Sequence, residues 1–326
     1  MDSRTAVVVV SYNTRDVLRD CLQSVRAAAP REVIVVDNGS TDGSVEMVRS
    51  EYPEARLIAS ENRGYGAAAN TGIRASTADY ALLLNSDTIL RPASVRAIET
   101  YLDAHREVGL LGPRIVNPDG SLQRSCFPFP TPVTALLGET GLGYFIRFIP
   151  VVRDRYPRTW KHDEVRPMPW VLGAVLAIRR RAFEAVAGFD ESFFMYFEET
   201  DLCYRLWRAG WEVHFAPVTE IVHLGGASTR QYAAAMRLQF YRSMGHFYAR
   251  HYPPSKLRAL ERILRTKAVV RAGVAWSRRA LSSSERARAR FEEELGMWTT
   301  LARDCRRGLA TGERAMPDRR PEGVRG

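Results

Sequence analysis

Five titratable side chains stand where they could do chemistry: Asp37, Asp87, Glu198, Glu199 and His223. Asp37 directly follows the apolar run in "EVIVVD", and Asp87 closes "YALLLNSD". Two carboxylates at the ends of strands on one rim can serve a nucleotide in different ways. One accepts an N–H of the base, and the other holds a divalent cation that bridges phosphates. Hard oxygen ligands suit Mg²⁺ or Mn²⁺. Taken singly, each aspartate has a plainer reading as a turn or cap residue, and the presence of the other weakens it. Glu198, Glu199 and Asp201 open the segment "EETDLCYRLWRAGW", just after the apolar "SFFMYF". Such a surround raises a carboxylate pKa, which suits a general base, while a helix N-terminus acts in the opposite sense. The same acids also complement a helix dipole, and Asp201 can pair with Arg205 four residues on. His223 ends "EIVH" and precedes Gly225-Gly226. A lone histidine is usually structural; near an acidic rim it is a candidate metal ligand.

The elements that position these residues share one grammar. "AVVVVSYN" (6–13), "EVIVVDNGSTD" (32–42) and "YALLLNSD" (80–87) are short apolar runs followed by polar or turn residues. Between the first two lies "RDVLRDCLQSVRAA", in which Val17, Leu18, Cys21, Leu22 and Val25 recur at helical spacing. Buried strands alternating with helices predict an α/β fold with a mainly parallel, Rossmann-like sheet. Ligands of such sheets bind beyond the carboxyl ends of the strands, where Asn85-Ser86-Asp87 falls. The loop 60–76, "SENRGYGAAANTGIRAS", supplies glycines for close approach to a ligand and leads into a helix. Its Gly64-x-Gly66 with Ala69 spells a dinucleotide fingerprint loosely, but that fingerprint normally follows the first strand. Leu202, Leu206 and Trp207 are expected to face inward from a helix ending near Gly210. The stretch from Pro113 to Arg166 has little regular pattern and reads as an insertion suited to acceptor recognition.

In this order, "VVVVSYN", "VIVVDNGSTDGS", "NRGYGAAANTGI", "LLLNSD" and "GFDESFFMYFEETDLCYRLWRAGW" resemble the family 2 inverting glycosyltransferases of the GT-A fold. The likeness runs from about Thr5 to Gly226 and is nearest to bacterial rhamnosyltransferases of cell-wall and O-antigen glycans. It implies that Asp37 meets the donor nucleobase, helped by Ser11, Tyr12 and Asn13. It implies that Asn62, Arg63, Gly64 and Asn70 line the nucleotide and sugar phosphate. Asn85-Ser86-Asp87 takes the place of the DXD-type motif, with Asp87 as metal ligand and Asn85 replacing the first acid. Glu198-Glu199 falls on the family's catalytic acid pair, with Glu199 where an aspartate is usual, so either glutamate could be the base. His223 falls on the histidine that completes the metal site, and "WVLG" (170–173) lies near the acceptor or is a core strand. The implied reaction passes a sugar from a nucleotide-sugar donor to a saccharide or polyprenyl-linked acceptor. The favoured donor is dTDP-rhamnose, with UDP-galactose, UDP-galactofuranose and UDP-N-acetylglucosamine as alternatives. A non-catalytic nucleotide-sugar-binding protein would have no use for the carboxylate pair. A nucleotidyltransferase would carry a glycine-rich basic loop after the first strand, which "SYNTRDV" does not supply.

A chain of 326 residues with 45% hydrophobic content is globular and has room for one large domain and an extension. The expected division is a catalytic domain over 1–230, a helical basic extension over 231–310 and a disordered tail over 311–326. Four scattered cysteines and a start without signal-peptide character fit a reducing cytoplasm. No apolar run reaches the ~18 residues of a membrane span. Of the net charge of +10, the part from Lys256 onward holds 18 Lys/Arg against 9 Asp/Glu, nearly the whole excess. Leu257, Leu260, Ile263, Leu264 and Val274 among these cations predict a basic amphipathic helix on an anionic membrane surface, at the inner face of the plasma membrane. The alternative is a helix packed on the catalytic domain with a solvated basic face. Nucleic acid is not an expected partner, since interleaved aromatics and a recognisable module are lacking. The oligomeric state stays open.

Overall fold

The branched run of β1 (Thr5–Ser11) is buried from end to end, as a strand covered on both faces must be. The computed structural model, which describes residues 3–140, 160–225 and 233–309, pairs it in parallel with β2 (Glu32–Asp37) and β4 (Tyr80–Asn85). β3 (Arg56–Ala59) continues the parallel set beside β2. Beyond β4 the direction changes. β11 (Val175–Arg179) runs antiparallel to both β4 and β6 (Val108–Val116). β12 (Glu212–His223) returns parallel to β6, and β5 (Thr88–Ile89) lies antiparallel on its end. The order is therefore 3-2-1-4-11-6-12-5. The α/β fold with a mainly parallel sheet is as the sequence predicts. β11 and the two-residue β5 are antiparallel exceptions, which runs so short cannot announce.

Helices cover this sheet. α1 (Arg15–Ala27) buries Leu18, Cys21, Leu22 and Val25, four of the five positions read from its spacing, and leaves Val17 half-buried. α2 (Ser44–Glu51), α3 (Tyr65–Arg74) and α4 (Ser94–Ala104) follow β2, β3 and β5 in the chain. α3 lies so close to the sheet that a Cβ at Gly72 would run into Val8 Cγ1 and stand 2.9 Å from Val36 Cγ2. After β11 come α6 (Arg180–Ala185) and α7 (Glu198–Arg208). Leu202 and Leu206 are buried, while Trp207 is half-buried and donates its indole N–H to Met168 O at 3.0 Å.

The irregular insertion predicted from Pro113 needs correction at its start. β6 continues through Pro113 to Val116, and β7 (Leu122–Gln123), β8 (Cys126–Phe127) and α5 (Pro132–Thr140) follow. Pro113 is accommodated because β12 shifts register between Phe215 and Glu220, opposite Gly112 and Arg114, so no ladder bond is required of it. β9 (Arg166–Pro167) pairs with β12, and β10 (Trp170–Val171) pairs with β8. The remainder of the insertion, 141–159, lies outside the described residues.

These strands, with α1 to α4, α6 and α7, form one compact unit; α5, Met195–Phe197 and the C-terminal helices form a second. In the second, α8 (Ala233–His251) is followed by α9 (Pro254–Leu281) and α10 (Glu285–Arg307). α9 and α10 make an antiparallel hairpin. Glu261 accepts from Leu309 N at 2.9 Å, Lys267 and Arg271 lie over the Trp298 ring, and Arg279 pairs with Glu292. α9 buries Leu260, Leu264, Ala268 and Ala275, and α10 buries Met297, Trp298, Leu301 and Cys305. Leu260 and Leu264, expected on a lipid-facing stripe, are thus taken by packing, and Leu257 and Ile263 are half-buried. Val274 alone of that set is exposed. Among the described residues no helix is long and apolar enough to cross a membrane. The tail 311–326 lies outside them.

Candidate functional site

The carboxyl ends of β1, β2 and β4 are tied together by their own polar residues. Ser11 Oγ, Thr14 Oγ1 and Ser86 Oγ form a buried hydroxyl chain with links of 3.1 and 2.8 Å. Ser11 and Ser86 therefore fix the rim from inside. Asn13 adopts φ 51°, a left-handed conformation that asparagine tolerates, donates its backbone N–H to Ser40 Oγ and accepts from Thr41 N through Oδ1. Tyr12 beside it is half-buried.

Asp37, at the end of β2, is 2% exposed. Its Oδ1 accepts from the backbone of Gly39 and Ser40 at 3.2 and 2.8 Å, whereas its buried Oδ2 has no hydrogen-bond partner among the described residues. A buried carboxylate oxygen left without a donor is costly unless a ligand supplies one. Asn38 donates to Asn62 Oδ1 at 2.9 Å, and Asn62 Oδ1 also accepts from Gly64 N, so Asn62 shapes the turn into α3. At Gly64 φ is 101°, and a Cβ would collide with the Phe194 carbonyl. Asn70 is equally committed: it exchanges hydrogen bonds with the Phe189 backbone and donates to Glu191 at 3.0 Å. Expected along the donor, it holds the 189–191 turn beside α3. Arg63, largely exposed, pairs with Glu191 at 2.9 Å.

Asp87 and His223 meet because β5 pairs with the end of β12, putting Thr88 opposite His223. Asp87 Oδ1 is 3.2 Å from His223 Nε2, and both residues are buried. Gln123 on β7 sets the imidazole. Its Nε2 donates to Asn117 Oδ1, so its Oε1 faces His223 Nδ1 at 2.6 Å and requires a hydrogen there. His223 Nε2 is then the ring nitrogen that faces the Asp87 carboxylate. A proton or a cation can lie between the two atoms, and a carboxylate beside an imidazole nitrogen fits Mg²⁺ or Mn²⁺. Among the described residues no group of three or more His, Cys, Asp or Glu gathers in metal-binding fashion, so the protein offers two ligands at this point. Asn85 closes β4, its backbone N–H bonded to Ala174 O and its carbonyl to Thr88 Oγ1.

Glu198 and Glu199 lie at the head of α7, 5% and 8% exposed. The chain reaches them through Tyr196 and Phe197, both at positive φ (64° and 68°), a costly conformation for aromatic residues. Burial, and then the neighbouring Glu199 charge, hold the Glu198 carboxyl well above the usual carboxylate range. Its Oε2 has no hydrogen-bond partner among the described residues. The two side chains take different directions: Glu198 Cβ is near Gly66 of α3, and Glu199 lies along Gly173 at the end of "WVLG". Asp201 bonds Arg205 at 2.6 Å and is fully buried, so its part is structural.

Tyr65, on which sequence reasoning is silent, links these groups. It is 8% exposed and donates to Gly173 O at 3.1 Å. Burial pushes its phenol well up, and the charges of Glu198, Glu199 and Asp87 act in the same sense. The signal was a single bulky residue between Gly64 and Gly66 at the start of a small-residue helix. Gln123 had no comparable signal, since a two-residue strand leaves no pattern.

Comparison with known proteins shows the family and the fold. The model of Glycosyl transferase family 2 matches residues 6–132, and that of Glycosyl transferase family group 2 matches 156–281. The chain is 34% identical over 245 residues to the N-acetylglucosaminyl-diphospho-decaprenol L-rhamnosyltransferase of Mycobacterium tuberculosis, covering 68% of this chain and 76% of that one. It is 22% identical over 248 residues to the rhamnosyltransferase WbbL of Escherichia coli, covering 69% and 85%. The solved mannosyltransferase PcManGT of Pyrobaculum calidifontis, in complex with GDP-Man and Mn²⁺, superposes with a TM-score of 0.53 at 19% identity, covering 94% and 87%. That likeness concerns the fold, which is the GT-A type that the motifs imply.

Proposed function

This chain belongs to glycosyl transferase family 2, and from that premise we propose that it is an inverting rhamnosyltransferase of cell-envelope glycan synthesis. It takes L-rhamnose from dTDP-rhamnose and attaches it to a hydroxyl of a polyprenyl-linked saccharide, working in the cytoplasm at the inner face of the plasma membrane. The likeness to the mycobacterial L-rhamnosyltransferase supports the sugar and the lipid-linked acceptor. The observation that supports the chemistry is the buried Glu198–Glu199 pair at the head of α7, with Glu199 along Gly173, together with Asp87 3.2 Å from His223.

Asp37 Oδ2 is the acceptor that a base N–H completes, and the Asn13 loop borders it. Asp87 and His223 would hold a divalent cation, which neutralises charge on the departing nucleoside diphosphate when bound. Arg63 and the Asn62–Gly64 turn flank the donor, and Asn70 holds the turn behind them. Glu198 retains its proton, because two adjacent buried carboxylates do not both ionise readily. Glu199, lying along Gly173 on the segment assigned to the acceptor, is then the ionised member. It removes the acceptor hydroxyl proton as that oxygen attacks the anomeric carbon opposite the leaving group. The carbon–oxygen bond to the diphosphate breaks as the new glycosidic bond forms, and configuration inverts without a covalent enzyme intermediate.

The test is calorimetric titration with dTDP, UDP and GDP, each with and without Mn²⁺ or Mg²⁺, followed by transfer assays with the matching nucleotide-sugars. Metal-enhanced binding of dTDP and transfer of rhamnose are expected. A preference for UDP with transfer of galactose, galactofuranose or N-acetylglucosamine would keep the transferase and remove the rhamnosyl donor. Binding without any transfer would favour a nucleotide-sugar-binding protein.

A further inference from the structure

The hairpin of α9 and α10 carries an apolar face that packing among the described residues of the second unit does not use. On α9, Leu260, Leu264, Ala268 and Ala275 form the buried stripe. At 100° per residue, the opposite side of the last three turns contains Val269, Val270, Gly273, Val274, Trp276, Ser277, Ala280 and Leu281. No charged residue occurs among them. Val269, Val270, Trp276 and Leu281 are 54%, 59%, 60% and 88% exposed. Scattered exposed apolar residues need no explanation, but an uncharged face bearing a tryptophan at the free end of a hairpin does.

Cations border this face. From Arg271 to Arg290 the hairpin tip holds six arginines (271, 278, 279, 286, 288, 290) against one acid, Glu285. Arg279 pairs with Glu292 and Arg290 with Glu294, while Arg278 and Arg286 flank the turn at Ser282–Ser284. An apolar strip with an indole, edged by arginine, matches the acyl and headgroup layers of an anionic bilayer. A second copy of the same face is a poorer partner, since a two-fold contact would set arginine against arginine.

We propose that the exposed face of α9 from Val269 to Leu281, with the arginines of the hairpin tip, docks the protein on anionic phospholipid. This replaces the membrane stripe expected from the sequence, whose Leu260 and Leu264 are interior. Its purpose, though not its evidence, rests on the proposed lipid-linked acceptor.

The experiment is flotation of the full chain with vesicles of phosphatidylglycerol and phosphatidylcholine, and with vesicles of phosphatidylcholine alone, at low and high salt. The parent protein is expected to float with the anionic vesicles and to lose binding as salt rises. The triple variant Val270→Ser, Trp276→Ser, Leu281→Ser changes only exposed side chains and should lower partitioning about tenfold or more. The variant Arg278→Gln, Arg286→Gln should lose the preference for phosphatidylglycerol. Binding of dTDP by each variant, measured without vesicles, reports that the fold is intact. Failure of the parent to float, or flotation of the triple variant like the parent, overturns the proposal. So does a lipid-free parent dimer that the triple variant converts to monomer, since the face would then serve self-association. Rhamnose transfer to a water-soluble acceptor separates the two readings: transfer without flotation removes the docking surface alone, and flotation without transfer removes the rhamnosyl reading alone.

Discussion

Replacing Glu199 and Glu198 separately by glutamine tests the division of labour within the buried pair. The two side chains share a helix turn but differ in surroundings: burial and the adjacent Glu199 charge raise the Glu198 carboxyl, and Glu199 lies along Gly173. A positioned general base contributes about 10²–10⁴ in rate, or about 2.7–5.4 kcal/mol at 1.36 kcal/mol per tenfold. Glu199→Gln should therefore lower kcat for rhamnose transfer by about 10²–10⁴, with dTDP affinity within about twofold of the parent. Glu198→Gln imitates the protonated acid, so its kcat should stay within about tenfold.

Stability against pH supplies a second readout for the same pair. A carboxyl whose folded pKa is raised contributes stability that is fully present below its unfolded value of ~4.3 and is lost as pH rises through the folded value. Urea unfolding midpoints of the parent should thus fall from mildly acidic to alkaline pH, and Glu198→Gln should flatten that slope. Equal loss of kcat in both variants, or a Glu199→Gln enzyme with parental kcat, would refute the assignment. An unchanged slope in Glu198→Gln would refute the protonated Glu198.

Three further outcomes follow from the geometry. Gln123→Ala removes the acceptor that sets the His223 tautomer, so Mn²⁺ affinity by calorimetry should fall about 10–100-fold while metal-free dTDP binding stays unchanged. Tyr65→Phe strips the donor from Gly173 O and should destabilise by about 1–3 kcal/mol in urea, with kcat reduced more than the KM for donor, because Glu199 rests on Gly173. Gly72→Ala puts a Cβ into Val8 and Val36 and should cost about 1–3 kcal/mol by the same measurement, with the metal dependence of dTDP binding intact.

The parallel half of the sheet was legible because its chemistry is local. Val7–Val10, Ile34–Val36 and Leu82–Leu84 are buried on both faces, and each run stops at the polar residues that end its strand. A strand with no polar alternation announces its existence and its end but not its direction, which is why β11 could not be seen to run backwards. The insertion was misjudged at Pro113 for a related reason. Proline argues against a ladder, and only the register shift in a strand 100 residues away removes the objection.

The site divides along the same line. Asp37, Asp87 and the glutamate pair stood out because each interrupts or follows an apolar run in its own segment. Gln123 and Tyr65 matter through partners that are remote in sequence, His223 and Gly173, and a single chain gives no means of pairing them. Asn62 and Asn70 have a second task that their segment does not announce. A loop that bends sharply beside a sheet must satisfy its own buried backbone, and Asn62 Oδ1 accepts from Gly64 N while Asn70 exchanges hydrogen bonds with the Phe189 backbone. The apolar residues of α9 repeat the point. Leu260 and Leu264 are as apolar as Val270 and Leu281, and only the helices that pack on α9, α10 foremost, decide which face is interior. What a segment offers can be read from its residues; which of its faces remains for a ligand or a surface depends on the partner that arrives later in the chain.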